Sequence, residues 1–209
     1  GTNPDFVWIK SRDATYDHAL FDTVRGPLKR LRPNQTNAEG TDTTTLTSFN
    51  SNGFTTGSDE VTNKNNDNYV AWAWNAGSST ATNTDGSISS QVRASQTAGF
   101  SICTYTGNGQ ANQTIGHGLN SKPSLVIIKS RDQQRNWVVI PTFINDKYFF
   151  YLNDTSALLT QLGTYYGTHT SSVVGITGDS SGSNSNANGE DYLCYAFAPV
   201  AGYSAFGSY

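Results

Sequence analysis

Charge is scarce in this chain, and the scarcity removes several classes of function at the outset. Of 209 residues 14% are charged, against about 25% in an ordinary globular domain, and the net charge is −3. A surface that grips nucleic acid needs a basic stripe facing the phosphates, and none is written here. No run of about 18 apolar residues exists to cross a membrane as a helix, so membrane insertion is not expected. Two cysteines are too few for a disulfide framework. Methionine is absent altogether, and a chain opening at Gly1 without a charged and hydrophobic leader reads as a processed product or an excised piece. Hydrophobic residues, at 35%, are also thin.

Ser, Thr, Asn and Gly fill the gap, residues that suit strands, turns and loops better than helices. Four Trp, eleven Tyr and ten Phe still supply apolar surface for two modest cores. The hydrophobic stretches are short and partly repeated. Phe6-Val-Trp-Ile-Lys-Ser-Arg-Asp13 returns as Leu125-Val-Ile-Ile-Lys-Ser-Arg-Asp132, an offset of 119 positions. Each copy follows a proline (Pro4, Pro123), and the same offset takes Asn34-Gln-Thr-Asn-Ala38 onto Asn153-Asp-Thr-Ser-Ala157. Tyr69-Val-Ala-Trp-Ala-Trp74 has a counterpart in Tyr192-Leu-Cys-Tyr-Ala-Phe197, now at 123. Internal repetition outranks other signals. It predicts an all-β fold of two tandem antiparallel β-sandwich units, jelly-roll-like, each closed around its own core.

The divisions expected are a first repeat over residues 1–77, a Ser/Thr-rich linker over 78–98 with one edge strand at 87–92, a second repeat over 99–199, and a C-terminal strand over 200–209. Residues 69–74 are apolar on both faces, as a central strand would be. Residues 58–68 read as a polar loop, and one helical turn is expected near 157–161. The second unit opens with a run carrying Phe100, Ile102 and Tyr105, and the first unit has no such run before Pro4. The C-terminal Tyr203-Ser-Ala-Phe-Gly-Ser-Tyr209 resembles it. An unfilled strand position leaves a sheet edge that recruits another strand. Phe100, Ile102, Tyr105, Tyr203, Phe206 and Tyr209 are therefore the expected assembly residues, the last three donated to the first repeat or to a neighbouring subunit.

Catalytic signals are weak. Gly178-Asp-Ser-Ser-Gly182 satisfies G-x-S-x-G, but that motif needs a strand before it and a helix after it, and a Ser/Asn/Gly loop follows. His18, His117 and His169 lack metal-ligand spacing, and His18 falls where the second repeat has Trp137, a packing position. Asp13, Asp17 and Asp22, and the pairs Asp59-Glu60 and Glu190-Asp191, carry oxygen ligands without a calcium-loop pattern. Solvated acidic loops are the ordinary reading. Cys103 and Cys194 sit within strand patterns as small core thiols, with a bridge between them the alternative. No catalytic residue, metal ligand or cofactor is assigned. Tyr165 and Tyr166, between two glycines, form the best exposed aromatic pair, suited to a sugar face.

Several motifs carry a family likeness: Val7-Trp-Ile-Lys10, Asp22-Thr-Val-Arg-Gly26, Asn34-x-Thr-Asn-Ala-Glu39, Phe49-Asn-Ser-Asn-Gly-Phe54, Thr97-Ala-Gly-Phe-Ser-Ile-Cys-Thr-Tyr-Thr-Gly-Asn-Gly109 and Ile115-Gly-His-Gly-Leu119. Together they resemble the repeat domain of virion structural and tail-fibre-type proteins of marine bacteriophages, over nearly the whole chain. The second repeat departs from it, with Pro141 and Asn145 where the first has Asp22 and Gly26. The resemblance implies a non-enzymatic protein on the virion surface, as capsid decoration or tail fibre, whose partners are other copies of itself and other virion proteins. Its alternative is a fibre module that grips host cell-surface glycan. It brings no catalytic or binding residues to carry over.

Overall fold

Alternating side chains dictate the architecture. In the first half of the chain the strands are β1 (Phe6–Ser11), β2 (Ala19–Asp22), β3 (Gly26–Leu31), β4 (Gly40–Thr41), β5 (Leu46–Asn50) and β6 (Gly53–Thr56). A single helical turn α1 (Glu60–Asn63) and β7 (Tyr69–Trp74) follow. The second half holds β8 (Ala81–Asn83), β9 (Ser90–Ser95), β10 (Phe100–Thr106), β11 (Gln113–Gly116), β12 (Leu125–Ser130), β13 (Val138–Ile140), β14 (Tyr148–Tyr151), β15 (Leu159–Thr160), β16 (Val173–Ile176) and β17 (Asp191–Phe197). The computed structural model describes residues 3–160, 166–177 and 184–208. The fold is an all-β antiparallel sandwich. One sheet runs β4-β3-β2-β1-β7, a second runs β15-β14-β13-β12-β17-β10-β9-β8, and β5-β6 and β11-β16 are two-stranded.

The repeated sequence takes repeated positions. Val7↔Phe21, Trp8↔Leu20 and Ile9↔Ala19 in β1·β2 become Val126↔Ile140, Ile127↔Val139 and Ile128↔Val138 in β12·β13, the same register at the 119 offset. Lys29↔Thr41 likewise becomes Tyr148↔Thr160. The Lys-Ser-Arg-Asp turn is also built twice. The Lys10 ammonium donates to the Ser11 and Ala14 carbonyls at 2.8 and 2.9 Å, and Lys129 to those of Ser130 and Gln133 at 2.8 and 3.1 Å. Asp13 accepts from the Asn68 amide, and Asp132 from the Asp191 amide at 2.7 Å. Each turn thus ties the exit of β1 or β12 to the entry of β7 or β17.

Period-two alternation then makes four layers. Phe6 faces the middle of the molecule with Leu20, Phe100, Trp137, Leu193 and Tyr195. Val7, Ile9 and Phe21 face outward beneath Leu46 and Phe54 of the β5-β6 hairpin. On the far side Cys103, Val126, Ile128 and Cys194 pack beneath Ile115, Val174 and Ile176 of β11 and β16. Each large apolar side chain so buried contributes about 1.5–3 kcal/mol. The expectation of a private core for each repeat is therefore corrected: the central layer is shared, because β1 and β17 are apolar on both faces.

Three local readings are corrected as well. Residues 78–98 are not a linker, since β8 and β9 pair in sequence onto β10. The loop at 58–68 contains α1, nucleated where Asp59 accepts from the Val61 amide at 2.8 Å as an N-cap. Near 157–161 the described residues form no helical turn: Leu159–Thr160 is β15.

Ionic bonds lock the two large sheets together. Asp22 accepts from the Val24 and Arg25 amides at 3.1 and 2.9 Å, pairs with the Arg25 guanidinium at 2.5 Å, and accepts from the Tyr195 hydroxyl across the sandwich at 2.7 Å. Arg25 also reaches Glu39 at 2.9 Å, and Glu39 is gripped by Arg131 at 2.9 and 3.1 Å. This is the work of the Asp-Thr-x-Arg-Gly segment, and one copy suffices because it spans both sheets. Both side chains of the Asp22–Arg25 pair are fully buried. Removing one partner strands the other, at a cost of about 3–5 kcal/mol; urea unfolding at neutral pH of Asp22→Asn should show that loss.

Burial alone would raise the Glu39 carboxyl, but the hydrogen bonds and charges of Arg131 and Arg25 hold it below the usual carboxylate range. Its contribution is complete above the unfolded value of about 4.3 and disappears as pH falls through the folded value. Urea midpoints should therefore drop on acidification below about pH 4.3, more steeply in the native chain than in Glu39→Gln.

Candidate functional site

β7 pairs with β1 along its whole length, and no strand among the described residues lies on its other edge. Its counterpart β17 is paired on both sides, to β12 and to β10. The four outer strands of the two large sheets are β4, β7, β8 and β15, with two, six, three and two residues. β7 is thus the long open edge. The sequence reading of residues 69–74 as a central strand is corrected. Both faces are indeed apolar, yet Ala71 and Ala73 are exposed and Trp72 is 44% exposed.

The direction of its backbone groups follows from parity. Beside β17, the Ala198 amide donates to the Gly99 carbonyl at 2.7 Å and the Gly107 amide to the Glu190 carbonyl at 2.8 Å. Antiparallel pairs alternate between bonded and non-bonded. Ala196↔Ser101, Cys194↔Cys103 and Tyr192↔Tyr105 are therefore the bonded pairs of β17 with β10. The equivalent groups of β7, those of Ala73, Ala71 and Tyr69, point into the open edge.

Next to this edge the two sheets part around an apolar cleft of about 510 Å³. Trp8, Trp74, Ile127, Trp137, Tyr195 and Phe197 wall it, and residues 203–206 form its lip. Three of the polar groups in its lining already have partners. The Trp8 indole donates to His18 at 2.8 Å, the Trp137 indole to the Arg32 and Gln35 carbonyls at 2.9 and 3.1 Å, and the Tyr195 hydroxyl to Asp22. The cleft presents carbon and accepts apolar groups.

The sequence candidates disperse. Phe100, Ile102 and Tyr105 lie on β10, which is hydrogen-bonded to β17 on one side and β9 on the other. Their expected role as an assembly edge is corrected, because both edges of the strand are filled. Tyr203 lies in a turn closed by the Val200–Ser204 bridge and Phe206 in irregular chain just beyond it, neither in a strand; Tyr203 is 68% exposed and Phe206 half-buried at the cleft. Tyr209, Tyr165 and the Gly178-Asp-Ser-Ser-Gly182 motif lie outside the described residues. Tyr166 is only 4% exposed and packs edge-on against Phe149, which corrects its expected place as a sugar platform.

The titratable candidates are structural. His18 accepts the Trp8 indole, and His117 accepts the Leu119 amide at 3.2 Å. Asp17 holds Asn34, and Glu60 accepts from Tyr16 at 2.5 Å. Glu190 is gripped by Arg135. Cys103 and Cys194 face each other in register as free, buried thiols. Contact with the Cys103 thiol, and burial, push Cys194 well above the ordinary thiol range, so it stays protonated. No helix among the described residues is long and apolar enough to cross a membrane.

Fold and site together define an antiparallel β-sandwich in which, among the described residues of the two large sheets, β7 is the long unguarded edge. The chain belongs, over residues 1–209, to a family described as a domain of unknown function, DUF7483. No curated protein and no solved structure matches it.

The exposure at the edge has a measurable consequence. Truncating fully buried Trp137 to Ala should cost about 3–5 kcal/mol, whereas Trp72→Ala, at the half-open edge, should cost about 1 kcal/mol or less in the dilute protein. Paired urea titrations separate the two.

Proposed function

We propose that the chain is a non-enzymatic structural module of a bacteriophage particle, exposed on the virion as capsid decoration or tail fibre, and that it joins other copies of itself and other virion proteins through strand edges and apolar contacts. The observation that carries the assembly reading is the contrast between β17, paired on both sides, and β7, whose amides and carbonyls at Tyr69, Ala71 and Ala73 stand open. An open ladder of this length favours strand addition. The phage setting rests on the motif resemblance. The absence of a catalytic role is supported by the way His18, His117, Asp22 and Glu190 are engaged in packing and turns. Assembly is preferred over glycan binding because Tyr166, half of the aromatic pair behind that alternative, is buried.

The test is a proline at the edge. Ala73→Pro removes an outward-facing donor and leaves the bonds to β1 intact, at a kind of edge position where proline is tolerated. Sedimentation velocity of the native chain should show association growing with concentration, weakened about tenfold or more in Ala73→Pro by loss of strand addition, with the thermal midpoint nearly unchanged. Equal association in the two proteins overturns the proposal.

A further inference from the structure

Residues 201–206, Ala-Gly-Tyr-Ser-Ala-Phe, repeat the opening of β10 at residues 98–103, Ala-Gly-Phe-Ser-Ile-Cys. The likeness reaches the backbone: Gly99 and Gly202 are both left-handed, at φ +63° and +75°, a conformation that glycine adopts without strain. At Gly99 this bend launches the strand that fills the edge of β17. At Gly202 it launches nothing, because the Tyr203 and Ser204 amides both turn back to the Val200 carbonyl at 2.9 Å. Among the described residues there is therefore a strand opening without a sheet to enter, and a sheet edge with no strand laid on it.

Resting on the reading of β7 as an assembly edge, we infer that its partner is the segment 201–208 of a second copy, in the register that β10 takes on β17. That register pairs Phe100↔Phe197, Ser101↔Ala196, Ile102↔Tyr195 and Cys103↔Cys194. Carried over, it sets Tyr203 opposite Trp74, Ser204 opposite Ala73, Ala205 opposite Trp72 and Phe206 opposite Ala71. Ser204 and Phe206 then bond the outward groups of Ala73 and Ala71, and Ser208 those of Tyr69. Tyr203 and Ala205 turn toward the eight-stranded sheet with Trp74 and Trp72, and Phe206 turns over the exposed alanines. Small lies against large at two successive pairs, the interlock that dense packing requires. Neither 69–74 nor 201–208 contains a charged residue, so nothing repels the approach. The occupant is a second copy because in its own chain this segment is bent over the cleft while the edge of β7 stays open. Joining tail to edge is a head-to-tail contact, which propagates into filaments or closes into rings.

The register is tested by mixing one chain bearing Trp72→Cys with another bearing Ala205→Cys. These positions form a non-bonded pair, whose Cβ atoms approach as a disulfide requires. Mild oxidation should give a mixed covalent dimer about tenfold or more above that from Trp72→Cys with Ser204→Cys, whose thiol faces the opposite side. A chain carrying both Trp72→Cys and Ala205→Cys that bridges only within itself overturns the second copy as occupant. Equal yields from the two mixtures overturn the register, and the edge reading survives that result provided Ala73→Pro still weakens association. In the chain with native side chains, concentration should slow amide exchange at Ala71 and Ala73, and removing residues 201–209 should abolish the slowing. Slowing that persists without those residues overturns the inference even if a cysteine variant fails to fold.

Discussion

β1 and β17 have to be buried on both faces, and the rest of the molecule is arranged to meet that demand. A strand alternates its side chains between two sides, so an apolar run such as Phe6-Val-Trp-Ile needs cover above and below. Two such strands set face to face give a shared central layer, and each then needs a further lid. The β5-β6 hairpin with α1 supplies one, and β11 with β16 the other. A chain with so few hydrophobic residues meets the demand by concentrating them in short strands and leaving its loops to Ser, Thr, Asn and Gly. The price is polar groups inside the sandwich, and those between the two large sheets are tolerated because they are paired: Asp22 with Arg25 and Tyr195, Glu39 with Arg25 and Arg131.

Identical local instructions end in different surroundings. The register of β1 on β2 and that of β12 on β13 agree pair by pair, and the Lys-Ser-Arg-Asp turns repeat their bonds. Local sequence sets register, turn and face. It does not set what lies beyond the last strand. β7 and β17 share their pattern of large and small residues, yet one closes a sheet and the other lies inside one. The difference comes from β8, β9 and β10, which have no counterpart beside β7 among the described residues. Exposure at Ala71 and Trp72 is thus a property of the neighbourhood and not of the strand.

That distinction separates what the sequence made legible from what it hid. The strands at Phe6, Leu125, Tyr69 and Tyr192 could be read because alternation and repetition are local signals. The missing strand beside the first repeat could be sensed by comparing the two copies. The shared core could not, because an apolar run looks the same whether the second layer comes from its own repeat or from the other. β9 was legible only in part: an edge strand was expected at 87–92 within a linker, whereas β9 spans Ser90–Ser95 and lies inside the sheet between β8 and β10, because the company of a neighbouring strand is not a local signal. Tyr166 was misplaced because its glycine neighbours signal a loop, and a loop residue can still turn its ring onto Phe149. The cleft had no sequence signal, since Trp8, Trp74 and Phe197 come together only when the sheets stack.

The outer strands of the two large sheets are not guarded alike. Unpaired strands invite wrong partners, and proteins guard them by keeping them short or by placing charge and proline nearby. β4, β8 and β15 are two or three residues long. Behind β4, strand β3 carries Pro27, Lys29 and Arg30. β7 has six residues and no proline, lysine or other charge. The same chain therefore applies the usual protections at three edges and omits them at the fourth. An edge left open by neglect would carry residues of no particular kind. This one exposes Ala71 and Ala73, small residues that leave room for a neighbouring backbone, beside Trp72, the combination that the proposed strand addition calls for.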